Sequence, residues 1–163
     1  MASPSHYLDI GTLGEDFVAQ CLEEKGWTIL HRRWRLHRGE IDIIAEYKQP
    51  SPTINSTLAF IEVKTRTVGN WDSGGRDAVS KRKQQKIWHT AQLFLAQHPD
   101  KANCNCRFDV AIVLCKQEAK HSSNPSLNLN QDLSNQSSQE TLNYYLTIQE
   151  YIVSAFDSLS DDC

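Results

Sequence analysis

The chain has 163 residues, a formal net charge of −3, 39% hydrophobic residues and 23% charged residues. These values are ordinary for one globular domain and exclude a disordered or fibrous chain. No apolar run approaches the roughly 20 residues that cross a bilayer. The N-terminus lacks the basic and apolar regions of a secretion signal. We therefore expect a cytoplasmic protein with no membrane partner.

The first half of the chain predicts one helix and three strands. Apolar residues recur at helical spacing over residues 11–25, where Glu15 falls at the edge of the apolar stripe. An edge strand is expected at Trp27–Trp34 and a strand rich in β-branched residues at Glu40–Ala45. After a turn-rich loop, the apolar run Leu58–Lys64 predicts a third strand with charges entering at its end.

The second half predicts a helix near Ser80–Gln97 and a strand at Arg107–Leu114. The segment Lys116–Thr141 is dominated by Ser, Asn and Gln, so we expect a flexible insertion. A returning strand at Leu142–Ile148 and a short closing helix at Glu150–Phe156 complete the prediction. This order predicts a single α/β domain across the chain, with a central mixed β-sheet flanked by helices.

Charge is distributed unevenly along the chain. The first 120 residues hold all 17 Lys and Arg side chains and 14 of the 20 acidic ones. The overall acidity therefore comes from the C-terminal quarter, and it does not exclude a nucleic-acid partner. The five cysteines have irregular spacing and predict reduced thiols, in preference to a disulfide framework or a zinc site.

Asp42, followed by Glu62 and Lys64, forms the most informative pattern in the sequence. Side chains two apart on a strand share a face, so Glu62 and Lys64 project together. If the two strands pair, Asp42 converges on Glu62. Two such carboxylates favour Mg²⁺ or Mn²⁺ between them, and Glu15 is a further candidate ligand. A metal beside a lysine supports phosphodiester hydrolysis.

A structural interpretation competes with this one. Charged pairs are common at strand ends, and Glu-x-Lys occurs by chance in many proteins. The Asp on the preceding strand and the Glu on the helix boundary shift the balance towards a functional site. Arg107 and Asp109, by contrast, are expected to form an internal ion pair.

Several ordered motifs resemble a known family. They are Gly14-Glu15-Asp16, Trp34-Arg35, Gly39-Glu40-Ile41-Asp42, Phe60-Ile61-Glu62-Val63-Lys64-Thr65-Arg66, Lys81 and Arg107-Phe108-Asp109-Val110. This pattern resembles the bacterial YraN-like family over about residues 10–115, and again at Tyr151–Phe156. That family is similar to archaeal Holliday-junction resolvases and to the wider D…(D/E)-x-K nuclease superfamily.

The resemblance implies a restriction-endonuclease-like fold and nucleic-acid binding. It makes Asp42 and Glu62 metal ligands and Lys64 the catalytic lysine, and it matches Glu15 to a carboxylate on the N-terminal helix of the resolvases. The long insertion departs from the usual family pattern.

Basic residues surround the predicted site. Arginines with the interleaved Trp34 indole can contact phosphates and stack on exposed bases. A second basic cluster, with Lys81, Lys83 and Lys86, begins the second predicted helix. Charged edge strands and solvated helix faces give the same pattern. The predicted nucleic-acid contacts are Arg35, Arg38, Arg66 and Lys81.

These features lead to three functional hypotheses. The first is a metal-dependent endodeoxyribonuclease for branched or irregular DNA, with DNA favoured over RNA. The second is a nucleic-acid-binding module without useful turnover, and the third is an interaction protein whose charges are structural. A homodimer would suit symmetric incision of a junction.

Overall fold

The computed structural model describes residues 9–68, 79–119 and 142–157. Helix α1 spans Ile10–Glu24 and is followed by strands β1 (Thr28–Leu36), β2 (Gly39–Tyr47) and β3 (Thr57–Thr67). Helix α2 spans Lys81–Gln97, and a 3-10 turn at Pro99–Lys101 leads to β4 (Asn105–Ala119) and β5 (Leu142–Phe156). No helix in these ranges is long and apolar enough to cross a membrane.

The strands form one five-stranded mixed sheet in the order β1-β2-β3-β4-β5. Neighbouring strands are antiparallel except for β3 and β4, which run parallel and are joined through α2. A parallel pair needs such a crossover, because a tight hairpin can join only antiparallel strands. The predicted α/β class, with a mixed sheet flanked by helices, is confirmed.

The two helices cover opposite faces of the sheet. Val18 and Leu22 of α1 pack with Ile43, Ile61 and Val113 on one face. On the other face α2 contributes Ile87, Ala91 and Phe94, which pack with the even-numbered strand residues Leu58, Phe60, Phe108, Val110 and Ile112. Because side chains alternate along a strand, Glu62 and Lys64 project from the face that α2 covers.

Gly14 allows α1 to approach the sheet closely. A Cβ atom at this position would lie 1.9 Å from Oγ1 and 3.1 Å from Cβ of Thr65 on β3. Thr65 is β-branched and its backbone is fixed in the strand, so it has little room to move aside. This contact sets the position of the first turns of α1, and hence of Glu15.

We expect Gly14→Ala to lower the free energy of unfolding by about 1–3 kcal/mol, as overpacking does elsewhere. Denaturant unfolding measures the change, and Thr65→Ala added to Gly14→Ala should recover part of it. Gly11→Ala is the control on the same helix turn, because its Cβ would meet only the end of the Asp9 side chain. Wild-type stability in Gly14→Ala would show that α1 is not held by this contact.

The predicted closing helix near the C-terminus is wrong. Glu150–Phe156 is not a helix but the second part of β5, where Tyr151 pairs with Ala111 and Ile152 with Val110. Asp109 fixes this segment, because it accepts hydrogen bonds from the Tyr151 hydroxyl and the Ser154 N–H, both at 2.9 Å. Asp109 also forms the predicted ion pair with Arg107, at 3.0 Å.

The first four residues of the predicted insertion, 116–119, belong to a strand. Residues 116–119 continue β4 and pair with β5, with Lys116 opposite Tyr145. The remainder of the predicted insertion, residues 120–141, lies outside the described residues.

Candidate active site

The candidate site forms where β2 and β3 separate. Their ladder ends at the pair Ile43 and Ile61. Beyond it, the Val63 N–H donates to Oδ2 of Asp42 at 2.8 Å. The carboxylate thus occupies a position that a backbone carbonyl would fill in a continuing ladder. This hydrogen bond fixes the Asp42 side chain beside the strand that carries Glu62 and Lys64.

Strand β1 is also distorted at this level. Its register with β2 places Arg33 opposite Asp42, between the pairs Arg32–Ile43 and Trp34–Ile41. Arg33 has a φ of 49°, in the left-handed region that non-glycine residues rarely adopt. The Asp42 position therefore lies where the β2–β3 ladder ends and opposite a left-handed residue of β1.

Glu62 is 3% exposed, and its two oxygens have different surroundings. Oε1 accepts from Nζ of Lys64 at 2.8 Å and lies 3.3 Å from Nζ of Lys83 at the start of α2. Oε2 is buried and has no hydrogen-bond partner within the part of the chain that the structure describes. A buried carboxylate oxygen without a partner costs free energy, so this atom is suited to an incoming ligand. We name Asp42, Glu62, Lys64 and Lys83 the acid–lysine site.

Asp42 is buried without a cation in direct contact among the described residues. Its burial, and then the repulsion of the Glu62 carboxylate, raise its pKa to about 7, against the lowering effect of the Val63 N–H. The pKa shift also reflects weaker repulsion from Glu15. The strands thus bring together the two acids that the sequence predicted to converge, with an electrostatic cost that a divalent cation would relieve.

Glu46, four residues further along β2, shows that this fold can neutralise a buried acid. Its Oε2 accepts from Nζ of Lys101 at 2.8 Å, and its Oε1 accepts from the Ser56 hydroxyl at 2.8 Å. Against the opposing effect of burial, these hydrogen bonds lower the pKa of Glu46. The raised pKa of Asp42 is therefore a local property of the acid–lysine site.

Glu15 lies on α1 beside the site but has a partner of its own. Its Oε2 accepts from Nε of Arg33 at 2.6 Å, and Arg33 also donates to the Thr12 hydroxyl. Within the described ranges, no three His, Cys, Asp or Glu side chains are grouped closely enough to hold a metal ion. The role of Glu15 as a third ligand stays a prediction, and Arg33 competes for its carboxylate.

The predicted nucleic-acid contacts occupy different positions. Arg35 is exposed and pairs with Glu40 at 2.8 Å, while Arg38 is exposed in the turn between β1 and β2. Arg66 is partly buried near the end of β3, and Lys81 is exposed at the first residue of α2. Their roles in binding stay predictions. Trp34 is partly buried and its ring packs edge-on against Phe94 in the core, and its stacking on bases stays a prediction.

Sequence reasoning did not assign roles to Lys83, Arg33 or Gly14. Lys83 was one of several basic residues at the start of α2, and the helix register alone could not show which of them reaches β3. The Ser80 cap does give a usable signal, because its hydroxyl accepts the Lys83 N–H at 3.3 Å and fixes where the helix begins.

The fold and the site define an α/β protein with a mixed sheet and an acid–lysine cluster at a strand separation. Residues 14–113 match the model of the family described as "Uncharacterised protein family UPF0102". A UPF0102 protein of Nostoc sp. is 48% identical over 153 residues, which cover 94% of this chain and 97% of that protein. A UPF0102 protein of Synechocystis sp. is 42% identical over 151 residues, covering 91% and 97%. The chain belongs to the UPF0102 family, which confirms the YraN-like resemblance.

Proposed function

We propose that this protein binds nucleic acid, DNA in preference to RNA, and hydrolyses phosphodiester bonds in branched or irregular DNA with a divalent metal ion. The observation that carries the proposal is the state of the buried Glu62 carboxylate: one oxygen meets two lysines, while the other has no hydrogen-bond partner among the described residues. The likeness of Asp42, Glu62 and Lys64 to the D…(D/E)-x-K nuclease pattern gives independent support.

Asp42 and Glu62 are suited to Mg²⁺ or Mn²⁺, because both are hard oxygen donors and Oε2 of Glu62 has no partner among residues 9–68, 79–119 and 142–157. When bound, such an ion polarises a phosphate and lowers the pKa of a water molecule. Two protein carboxylates leave further positions for water, as Mg²⁺ prefers. Arg33 occupies Oε2 of Glu15 and competes with a metal ion for that oxygen.

The lysines supply positive charge where a phosphate would approach. The Lys64 side chain is 37% exposed, so its ammonium can reach solvent while one hydrogen bond holds it to Glu62. An ammonium fixed in this way can stabilise the extra negative charge of a phosphoryl transition state. The Val63 N–H keeps Asp42 oriented, and Lys83 contacts the same Glu62 oxygen from α2.

A second candidate function is nucleic-acid binding without turnover. It is favoured by the ion pairs themselves: Glu62 has two lysines and Glu15 has Arg33, so much of the acidic charge is compensated without a metal. The third possibility, a structural role for these charges, predicts neither nucleic-acid binding nor a response to metal.

A panel of labelled DNA and RNA duplexes, single strands and junctions, incubated with Mg²⁺ or Mn²⁺, separates these functions. We expect metal-dependent cleavage of branched or irregular DNA, loss of cleavage in Glu62→Ala and normal cleavage in the exposed control Lys25→Ala. Equal cleavage by Glu62→Ala would identify a contaminating nuclease.

Binding to the same panel should weaken with rising salt, as release of counterions requires. Salt-sensitive binding that persists in Glu62→Ala, without cleavage by the wild type, would assign the chain to the non-catalytic class. Failure to bind any member of the panel would refute both nucleic-acid functions.

A further inference from the structure

A groove lies between the β1–β2 turn and α2, on the side of α2 that continues from Lys83. We name it the hairpin groove; its lining includes Leu36, Arg38, Lys86, His89, Thr90 and Leu93, and its volume is about 350 Å³. Asp and Glu are missing from the lining residues, all of which belong to the described part of the chain.

Gly39 creates this groove by holding the β1–β2 turn against the helix. A Cβ atom on Gly39 would lie 1.8 Å from Oγ1 and 3.0 Å from Cβ of Thr90, so only glycine permits this approach. The Thr90 hydroxyl donates to the backbone carbonyl of Lys86 at 2.6 Å. Because that hydroxyl is already used within the helix, the groove has an apolar floor made with Leu36 and Leu93.

The rim of the groove is basic. Arg38 and Lys86 are both exposed, and no ion pair engages either of them within residues 9–68, 79–119 and 142–157. The earlier arginines differ, since Arg32 pairs with Asp16 and Arg33 with Glu15. Uncompensated cations above an apolar floor complement a ligand that is both anionic and flat, with apolar faces.

The hairpin groove and Lys83 of the acid–lysine site lie along the same stripe of α2. Lys83, Lys86, Thr90 and Leu93 follow one another at helical spacing on one stripe of the helix. The centre of the groove lies about 10 Å beyond Lys83 at 1.5 Å per residue. That distance corresponds to about three stacked nucleotides at 3.4 Å each.

We infer that the hairpin groove binds one unstacked nucleotide of a DNA strand whose backbone also passes the acid–lysine site. The base covers the apolar floor, and Arg38 and Lys86 contact the adjoining phosphates. A paired base in a continuous duplex cannot enter the groove, so the site selects DNA that already contains unpaired nucleotides. This inference rests on the proposed function and specifies its substrate class.

The test measures binding without cleavage, in EDTA, of a duplex containing a short single-stranded gap and of the matching continuous duplex. We expect wild-type protein to prefer the gapped DNA by about tenfold, within the range of base-stacking contributions. A 2-aminopurine in the gap should change its fluorescence on binding. His89→Glu should remove the preference, whereas Gln97→Glu, equal in charge change and exposed on the same helix, should retain it.

Leu93→Ala tests the apolar floor without changing charge, and thermal melting verifies that it folds. It should lose the preference for gapped DNA while its binding to continuous duplex stays within about threefold. The inference would be overturned if Leu93→Ala lost equal affinity for both DNAs, or if the wild type did not prefer the gapped DNA. In either case, binding of the wild type to continuous duplex would still support the proposed function. Saturable binding of a fatty acid in place of gapped DNA would assign the groove another occupant and also overturn it.

Discussion

Lys64→Ala is expected to lower the metal-dependent cleavage rate by about 10²–10³-fold, because it removes an ammonium aimed at developing negative charge. Lys83→Ala should lower it by less than about tenfold, because this lysine contacts the same Glu62 oxygen at a longer distance, 3.3 Å rather than 2.8 Å, and acts through that carboxylate. Single-turnover rates at saturating metal compare the two variants directly.

The pair also provides its own control, since both substitutions remove one positive charge from the same site. Equal losses in the two variants would show that only the summed charge matters, and would contradict a distinct catalytic role for Lys64. Both variants should lose stability to a similar extent, because each leaves the buried Glu62 carboxylate with one cation in place of two, and thermal melting verifies that both remain folded.

Asp42→Asn is expected to stabilise the metal-free protein at about pH 8 by roughly 2–4 kcal/mol. In the unfolded chain Asp42 titrates near 3.8, whereas in the fold its pKa is about 7. Between these values the folded protein retains a proton that the unfolded chain has lost. Stability therefore falls as the pH rises from about 4 to about 7, and the loss is complete above that range. Asparagine avoids the loss and still accepts the Val63 N–H.

Denaturant unfolding of both proteins from about pH 4 to pH 8 measures this effect, and the difference should shrink towards the acidic end. Adding Mg²⁺ should remove most of the difference, since a ligand at 100 times its Kd stabilises the wild type by about 2.7 kcal/mol and leaves Asp42→Asn unchanged. Glu46→Gln is the matched control on the same strand. It should destabilise the protein, because it leaves Lys101 partly buried without its carboxylate.

A different pH profile would contradict this account. If Asp42→Asn is less stable than the wild type at every pH, then Asp42 is compensated within the fold as Glu46 is. A Mg²⁺ response of equal size in both proteins would place the metal elsewhere.

Local patterns predicted most of the architecture, because the relevant information lies within short segments. The β-branched residues of Glu40–Ala45 and the helical spacing in residues 11–25 are local properties of the sequence, and both predictions agree with the structure. Strand geometry alone predicts that Glu62 and Lys64 share a face. In the structure, Nζ of Lys64 lies 2.8 Å from Oε1 of Glu62.

The incorrect predictions concern partners far apart in sequence. Tyr151–Phe156 is short and apolar, so its own composition cannot distinguish a helix from a strand. Pairing with β4 and the hydrogen bonds of Asp109 decide the outcome. The polar residues Lys116 to Glu118 are likewise held in β4 by a strand about thirty residues away.

The sequence predicted which acids form the candidate site, but apart from Lys64 it did not predict which basic residues lie near them. Asp42 and Glu62 stand out because acids are rare within apolar strands. The run of arginines in β1 gave no indication that Arg32 and Arg33 pair with α1 while Arg38 does not. That choice depends on the bulge near Ile29 and on the left-handed backbone of Arg33, which composition does not reveal.

The close contact between Gly39 and Thr90 limits where residues can be inserted into the chain. The β1–β2 turn is fixed against α2, so even a single added residue there would lift the turn from the helix. The connection between β2 and β3 lies at the opposite end of the sheet and is exposed at Pro52, Thr53 and Ile54. Insertions, fluorophores and affinity tags therefore belong in that connection, where they leave both strand ends that carry Asp42 and Glu62 unchanged.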